Sequence, residues 1–386
     1  MLKILSIFGT RPEAIKMAPV VQQLACQNRR IISRVCVTAQ HREMLDQVLQ
    51  LFSITPDYDL DIMKGNQSPT SVTIAVLREL EPILRQETPD WVLVQGDTTT
   101  VMAASLAAFY QQIKIGHVEA GLRTHNIYQP FPEEVNRRIA GVVANLNFAP
   151  TSWAANNLLA EKVPAEKIVV TGNTVIDAIR QAAEMPYDPA GTVLADLPLG
   201  KKRLILVTAH RRESFGRGIT AICEALREIA ETFDDVHLVY PVHLNPNVWE
   251  PVHQHLGRIS NISLTPPLEY LPLVYLMKHA YLVVTDSGGI QEEAPGLGVP
   301  VLVLREVTER PEGVKAGTVR LVGTRRERIV AEIGRLLEDE TAYREMARAV
   351  NPYGDGRAAV RIVKALLGDS FEPWEIMGSL GHDATT

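Results

Sequence analysis

Three cysteines in 386 residues, Cys26, Cys36 and Cys223, are too few and too scattered for a disulfide framework or a thiolate metal site. Each lies in an apolar strand or helix pattern, so each is expected to be a buried free thiol in a reducing, cytoplasmic compartment. No apolar run approaches the roughly 18 residues of a membrane-spanning helix. The opening MLKILSIFGTRPEAIK has too short an apolar run for a signal peptide, and no small-residue cleavage site follows it. The net charge of −6 gives no general nucleic-acid footprint, so any arginine that acts does so locally. A GxGxxG dinucleotide fingerprint, a nucleophile elbow and a metal-ligand cluster are all missing. These absences argue against nucleic-acid and membrane partners and imply neither a cofactor nor a metal.

What is present is an ordinary globular composition, 46% hydrophobic and 22% charged, in a chain long enough for two domains. Short apolar runs rich in Val, Ile and Leu alternate with helical periodicity. Strands are expected at 2–8, 33–38, 91–94, 113–118, 145–149 and 168–170, and again at 203–208, 236–240, 262–264, 281–284 and 299–304. Between them lie helical stretches such as 70–86, 101–110, 133–144 and 219–231, with short loops. This alternation marks parallel sheets covered on both faces. The second half repeats the scheme of the first: LVQGDTTT before a helix and a strand ending at Glu119 echoes VVTDSGGI before a helix and a strand ending at Glu306. The expected fold class is therefore α/β, two Rossmann-like doubly wound domains whose strand ends face an interdomain cleft. The boundary is placed at the turn Thr171-Gly172-Asn173-Thr174. That gives residues 1–172 as the N-terminal domain and 173–365 as the C-terminal, nucleotide-binding one, with a terminal helix near 366–380 packing back on the first.

The most telling stretch is YLVVTDSGGIQEEAPGLGVPVLVLREVTERPEG, residues 281–313. A buried strand runs into Ser287-Gly288-Gly289, where glycines let the backbone approach a ligand, and a helix begins at Ile290. Free N–H groups at a helix start favour phosphates. Arg11 and Lys16 stand at another helix start, where cations are disfavoured unless an anion is present; plain surface charge is the alternative. Ligands of such sheets bind at the carboxyl ends of the strands. Those ends gather Arg11, Lys16, Asp97, Glu119 and Glu133 in the first half, and His210, Arg211, Ser287, Gly288, Gly289, Glu293 and Arg310 in the second. Three carboxylates, a histidine and several cations form acid–base equipment around an anion. His41, His117 and His243 are lesser candidates, weighed towards structure.

Read together, FGTRPEAIK, TAQHREMLDQ, QGDTTT, HVEAGLRT, FPEEVNRR, TGNTVIDA, HRRESFGRG, PVHLNPNV, TDSGGIQEEAP, TERPEG, AGTVRLVG and NPYGDG resemble, in order from Lys3 to about Leu367, the bacterial non-hydrolysing UDP-N-acetylglucosamine 2-epimerases. The resemblance implies the GT-B fold and, usually, a homodimer. It implies reversible conversion of UDP-GlcNAc to UDP-ManNAc for surface polysaccharide synthesis, without NAD and without a required metal. It carries catalytic roles to Asp97, Glu119, Glu133 and His210. It carries substrate contacts to Arg11, Lys16, Asp97, Glu119, His210, Leu268, Leu273, Ser287, Gly288, Gly289, Glu293 and Arg310. Gln40, His41 and His243 match a candidate activator site for a second UDP-GlcNAc. Three positions depart from the family pattern: Leu268 stands where relatives carry Gln, Leu273 where they carry Phe, and Asn66 near a relative's Arg.

Overall fold

The computed structural model describes residues 1–38, 42–62 and 67–375. The expected alternation is present. The first sheet has seven parallel strands: β1 (Leu2–Phe8), β2 (Ile31–Val37), β3 (Tyr58–Asp59), β4 (Trp91–Gln95), β5 (Lys114–Val118), β6 (Leu146–Ala149) and β7 (Ile168–Val170), in the order β3-β2-β1-β4-β5-β6-β7. The second has six: β8 (Arg203–Thr208), β9 (Val236–Pro241), β10 (Ile262–Thr265), β11 (Leu282–Thr285), β12 (Val301–Val303) and β13 (Val319–Leu321), in the order β10-β9-β8-β11-β12-β13. Both follow the doubly wound order, in which the sheet grows one way from its first strand and then reverses. The reversal places a topological switch point between β1 and β4 in one sheet and between β8 and β11 in the other. The two sequence echoes occupy equivalent places, since β4 and β11 are each the fourth strand of their unit.

The strands are apolar because helices cover both faces. Ile4, Leu5, Ile7 and Phe8 of β1 are fully buried, as are Ile205, Leu206 and Val207 of β8. Helices start where capping residues stand. Thr10 and Glu13 form a reciprocal box at the start of Arg11–Cys26, with Pro12 in its first turn, and the hydroxyl of Thr98 accepts from the Val101 N–H to open Thr99–Tyr110. Strand and helix limits lie within about two residues of the expected ones, as terminal fraying allows. Four elements had no sequence signal: β3, β13, and the helices Thr174–Glu184 and Pro311–Ala316. Three of these span six residues or fewer, too short to show a period. Cys36 and Cys223 are buried, but Cys26 is exposed, because it ends its helix on the outward side.

The chain divides into two compact units, Met1–Ala178 together with the chain from Tyr353 onward, and Ile179–Pro352. The division thus falls after Ala178 rather than at Gly172, and the helix Ala358–Leu367 lies in the first unit. The physical reason is a set of polar ties. The Asp177 carboxylate accepts from the N–H groups of Ala358 (3.1 Å) and Ala359 (2.9 Å), at the start of that helix. The Asn173 N–H donates to the Tyr353 carbonyl at 2.6 Å, and Arg361 donates to the Thr171 carbonyl at 3.1 Å and to both oxygens of Asp355. That helix, expected from Ala358, is ended by Gly368 in a left-handed conformation at φ 71°, and residues 369–375 of the further helix expected near 366–380 are not helical. Residues 376–380 lie outside those described.

Burial raises the Asp177 carboxyl from 3.8 to about 6 despite its two N–H donors. Its protonated form is therefore favoured in the folded state. This contribution is complete below pH 4 and is lost as pH rises through 6, a change of about 3 kcal/mol at 1.36 kcal/mol per unit. Asp177→Asn should remove that dependence: from pH 7 to pH 4, wild type should gain stability relative to the variant in urea titrations at a series of pH values.

Candidate functional site

In the first unit the loops after β1 and β4 are stitched by Glu13, a side chain not singled out from the sequence. Its carboxylate accepts from the N–H of Gly9 (2.9 Å) and Thr10 (2.7 Å) and from the Thr98 hydroxyl (2.6 Å), and the residue is 2% exposed. Burial raises its pKa and the hydrogen bonds oppose the rise. Gly9 lets the β1 loop pass close to the end of β2, since a Cβ there would lie 1.9 Å from Thr38 Oγ1. This stitching sets Arg11 and Lys16 at one helix start beside the loop that carries Asp97. Arg11 is half-buried at the first position of its helix, the place where a cation calls for an anion.

Glu119 follows β5 in the left-handed region, at φ 62°, a costly conformation for a non-glycine residue and one that clusters at functional sites. Its carboxylate accepts from Lys16 Nζ, from Gln95 Nε2 and, at 3.1 Å, from Asn173 Nδ2. Asp97 follows β4 and pairs with Arg137 Nη2, while Asn136 Nδ2 donates to the Asp97 carbonyl at 3.0 Å. Burial raises the Asp97 pKa, Arg137 opposes this, and Glu119 and Glu133 add to it. The predicted carboxylates are thus brought within electrostatic reach of one another, with a separate cation on Asp97 and on Glu119. Glu133 opens the helix Glu133–Val143, half-buried. Its neighbour Glu134 is fully buried and structural, accepting from the N–H groups of Thr124 (3.1 Å) and His125 (3.2 Å). His117 is structural as well: it is fully buried, its Nε2 bonds the Gly96 carbonyl at 2.7 Å, and burial drives its pKa down to about 4, so it is neutral.

In the second unit His210 and Arg211 follow β8, and their N–H groups both donate to Asp286 Oδ2 at 2.7 Å. His210 Nδ1 lies 3.5 Å from Asp286 Oδ1, and the ring stacks on His243 at 5.4 Å between centroids. Ser287-Gly288-Gly289 lead into the helix Ile290–Gly296. Arg310 lies against this turn: a Cβ on Gly288 would be 2.7 Å from Arg310 Nη1. Arg310 Nε donates to the buried Glu292 at 2.6 Å, and the Arg310 N–H donates to the Thr308 hydroxyl at 3.2 Å. Glu293, 8% exposed, sits near Tyr270 and adds to the rise of that phenol's pKa, which burial dominates. Leu268, in the loop after β10, and Leu273, on the helix Tyr270–His279, are both half-buried. Gln40, His41 and Asn66 lie outside the described residues.

Sequence reasoning missed Glu13, Arg137, Asn173, Asp286 and Glu292. Thr10-Arg11-Pro12-Glu13 does carry a capping-box signature. Asp286 is an acid at a strand end. Nothing local links Arg137 to Asp97, 40 positions away. Among the described residues no group of three or more His, Cys, Asp or Glu side chains is placed to hold a metal ion, and no helix is long and apolar enough to cross a membrane.

Residues 24–367 match the family model described as UDP-N-acetylglucosamine 2-epimerase. The enzyme of that name from Escherichia coli K12 is 59% identical over 370 residues, covering 95% of this chain and 98% of its own. The Neisseria meningitidis UDP-GlcNAc 2-epimerase, crystallised bound to UDP-GlcNAc, is 51% identical with a TM-score of 0.86 over 95% of this chain and 100% of that one. The Methanocaldococcus jannaschii enzyme, crystallised with UDP-GlcNAc and UDP, is 35% identical with a TM-score of 0.78 over the same shares. A glycosyltransferase from Rickettsia africae, 13% identical with a TM-score of 0.61 over 96% of this chain and 99% of that one, shares the fold alone. With its two doubly wound units, its strand-end acids and this span of similarity, the chain belongs to the bacterial non-hydrolysing UDP-N-acetylglucosamine 2-epimerase family.

Proposed function

We propose that the chain interconverts UDP-GlcNAc and UDP-ManNAc by eliminating and re-adding UDP. The observation that carries this reading is the trio Asp97, Glu119 and Glu133 in the first unit, two of them already held by a cation of their own. The C2 hydrogen of the sugar is not next to a carbonyl, so its direct removal is very costly. Loss of UDP makes it feasible. The C2–H bond breaks with its proton going to a carboxylate, the C1–O bond breaks with its electron pair going to UDP, and a C1–C2 double bond forms, giving 2-acetamidoglucal. Re-addition of UDP, with a proton delivered to the opposite face of C2, completes the inversion. Asp97, Glu119 and Glu133 supply acid and base on the two faces.

Arg11, Lys16, His210 and the Ser287–Gly289 turn stabilise the diphosphate as it departs. Arg310, lying over Gly288, adds a guanidinium to that turn, and Glu293 accepts from the ribose hydroxyls. Leu268 and Leu273 flank the uracil, which leaves its recognition to backbone groups. His243, with Gln40 and His41, serves a second UDP-GlcNAc as activator. A homodimer, a cytoplasmic location and a role in supplying surface polysaccharide belong to the same proposal.

Proton NMR of UDP-GlcNAc with the protein in deuterated water tests the reaction. Deuterium at C2 together with a new manno signal is expected; free ManNAc, or no exchange at C2, would refute it. Asp97→Asn or Glu119→Gln should lower turnover by about 100-fold or more while calorimetry still shows UDP binding. Arg137→Met should raise the titration midpoint of Asp97, seen by carbon-13 carboxyl NMR, by about one unit or more, because it removes a cation that opposes burial, Glu119 and Glu133.

A further inference from the structure

Asp286 is fully buried at the end of β11, beside the switch point of the second sheet. One oxygen, Oδ2, takes both backbone bonds, from the N–H groups of His210 and Arg211. The other, Oδ1, is buried and has no hydrogen-bond donor among the described residues. An oxygen so placed is costly and calls for an explanation. His210 Nδ1 is a candidate donor at 3.5 Å, about half an ångström beyond a normal bond.

We propose that Asp286 is a positioning residue for His210, accepting a hydrogen bond from Nδ1–H and holding the ring as an imidazolium whose Nε2–H meets the diphosphate of the nucleotide. This rests on the reading of His210 given above. The two ring nitrogens decide the protonation state. A neutral ring with bare Nδ1 aims a lone pair at the Asp286 carboxylate. A neutral ring with bare Nε2 aims one at the diphosphate. Only the imidazolium gives each anion a donor, and no proton need leave His210 during the reaction.

The groups facing His210 are Asp286 from the loop after β11, His243 from the loop after β9, and Arg211 in its own loop. His243 is nearly parallel to it, at 9°, and like Arg211 it opposes a charge on the ring. Burial lowers the His210 pKa most, and Asp286 is the group that raises it. Asp286 thus acts for the charge on His210, against burial, His243 and Arg211.

Asp286→Asn separates this role from a merely structural one. Because both backbone bonds end on one oxygen, the amide carbonyl can keep them. The amide NH2 then stands in place of Oδ1 and donates to Nδ1, excluding a proton there. The His210 titration midpoint, read by nitrogen-15 NMR, should fall by about one unit or more, with the alkaline limb of kcat/KM moving down in step. The Kd for UDP should rise by about tenfold or more as a charge-assisted bond is lost. An unchanged His210 midpoint in the folded variant overturns the proposal. Should the variant not fold, wild type saturated with UDP decides: His210 should carry a proton on both ring nitrogens at pH 7, and a bare Nδ1 overturns it. His210→Gln with undiminished UDP affinity also overturns it, by removing the reading on which it rests.

Discussion

A carboxylate taken out of water and answered by backbone N–H groups joins the two arms of each sheet where the winding reverses. In the first unit it is Glu13, reaching from the β1 loop to the β4 loop through Thr98. In the second it is Asp286, reaching from the β11 loop to the β8 loop through the amides of His210 and Arg211. The chain uses opposite arms for the same task. Hydrogen bonds to a charged group contribute about 1.5–3 kcal/mol each, and an unanswered buried charge costs more. Each stitch therefore fixes two loops at once, and the side chains those loops carry inherit their places from it.

Around these stitches the two units present different chemistry. The first carries its acids with their cations in attendance: Lys16 on Glu119 and Arg137 on Asp97. Pairing of this kind lets carboxylates share one small region without expelling each other's charge. In the second unit two buried acids are taken up by neighbours of their own. Glu292 is committed to Arg310, and Asp286 to the His210 loop. Paired acids and cations at the strand ends thus mark the first unit, and a carboxylate bonded to backbone amides marks the second.

How much of this can be read from residues alone follows from physical range. Strands such as Leu2–Phe8 and Arg203–Thr208 announce themselves because burial on both faces demands a nearly continuous apolar run. Arg11, Asp97, Glu119, His210 and Arg310 could be singled out as candidates because each follows a strand or stands at a helix start, where ligands of such sheets gather. Arg137 was not, since its partner is distant in sequence and its own helix supplies Glu133 and Glu134 as nearer explanations. The division after Ala178 was equally hidden. It depends on Asp177 finding the start of the helix Ala358–Leu367, a meeting of residues 181 and 182 positions apart.

That late return of the chain has a consequence for synthesis. The second unit is one unbroken segment, Ile179–Pro352, and every strand it needs has been made once the ribosome passes Leu321. The first unit begins earlier but cannot close until the segment after Tyr353 arrives to give Asp177 its two amides. The body that starts first is therefore finished last. A nascent chain stalled near its end would carry one completed lobe and one still waiting for its final helix.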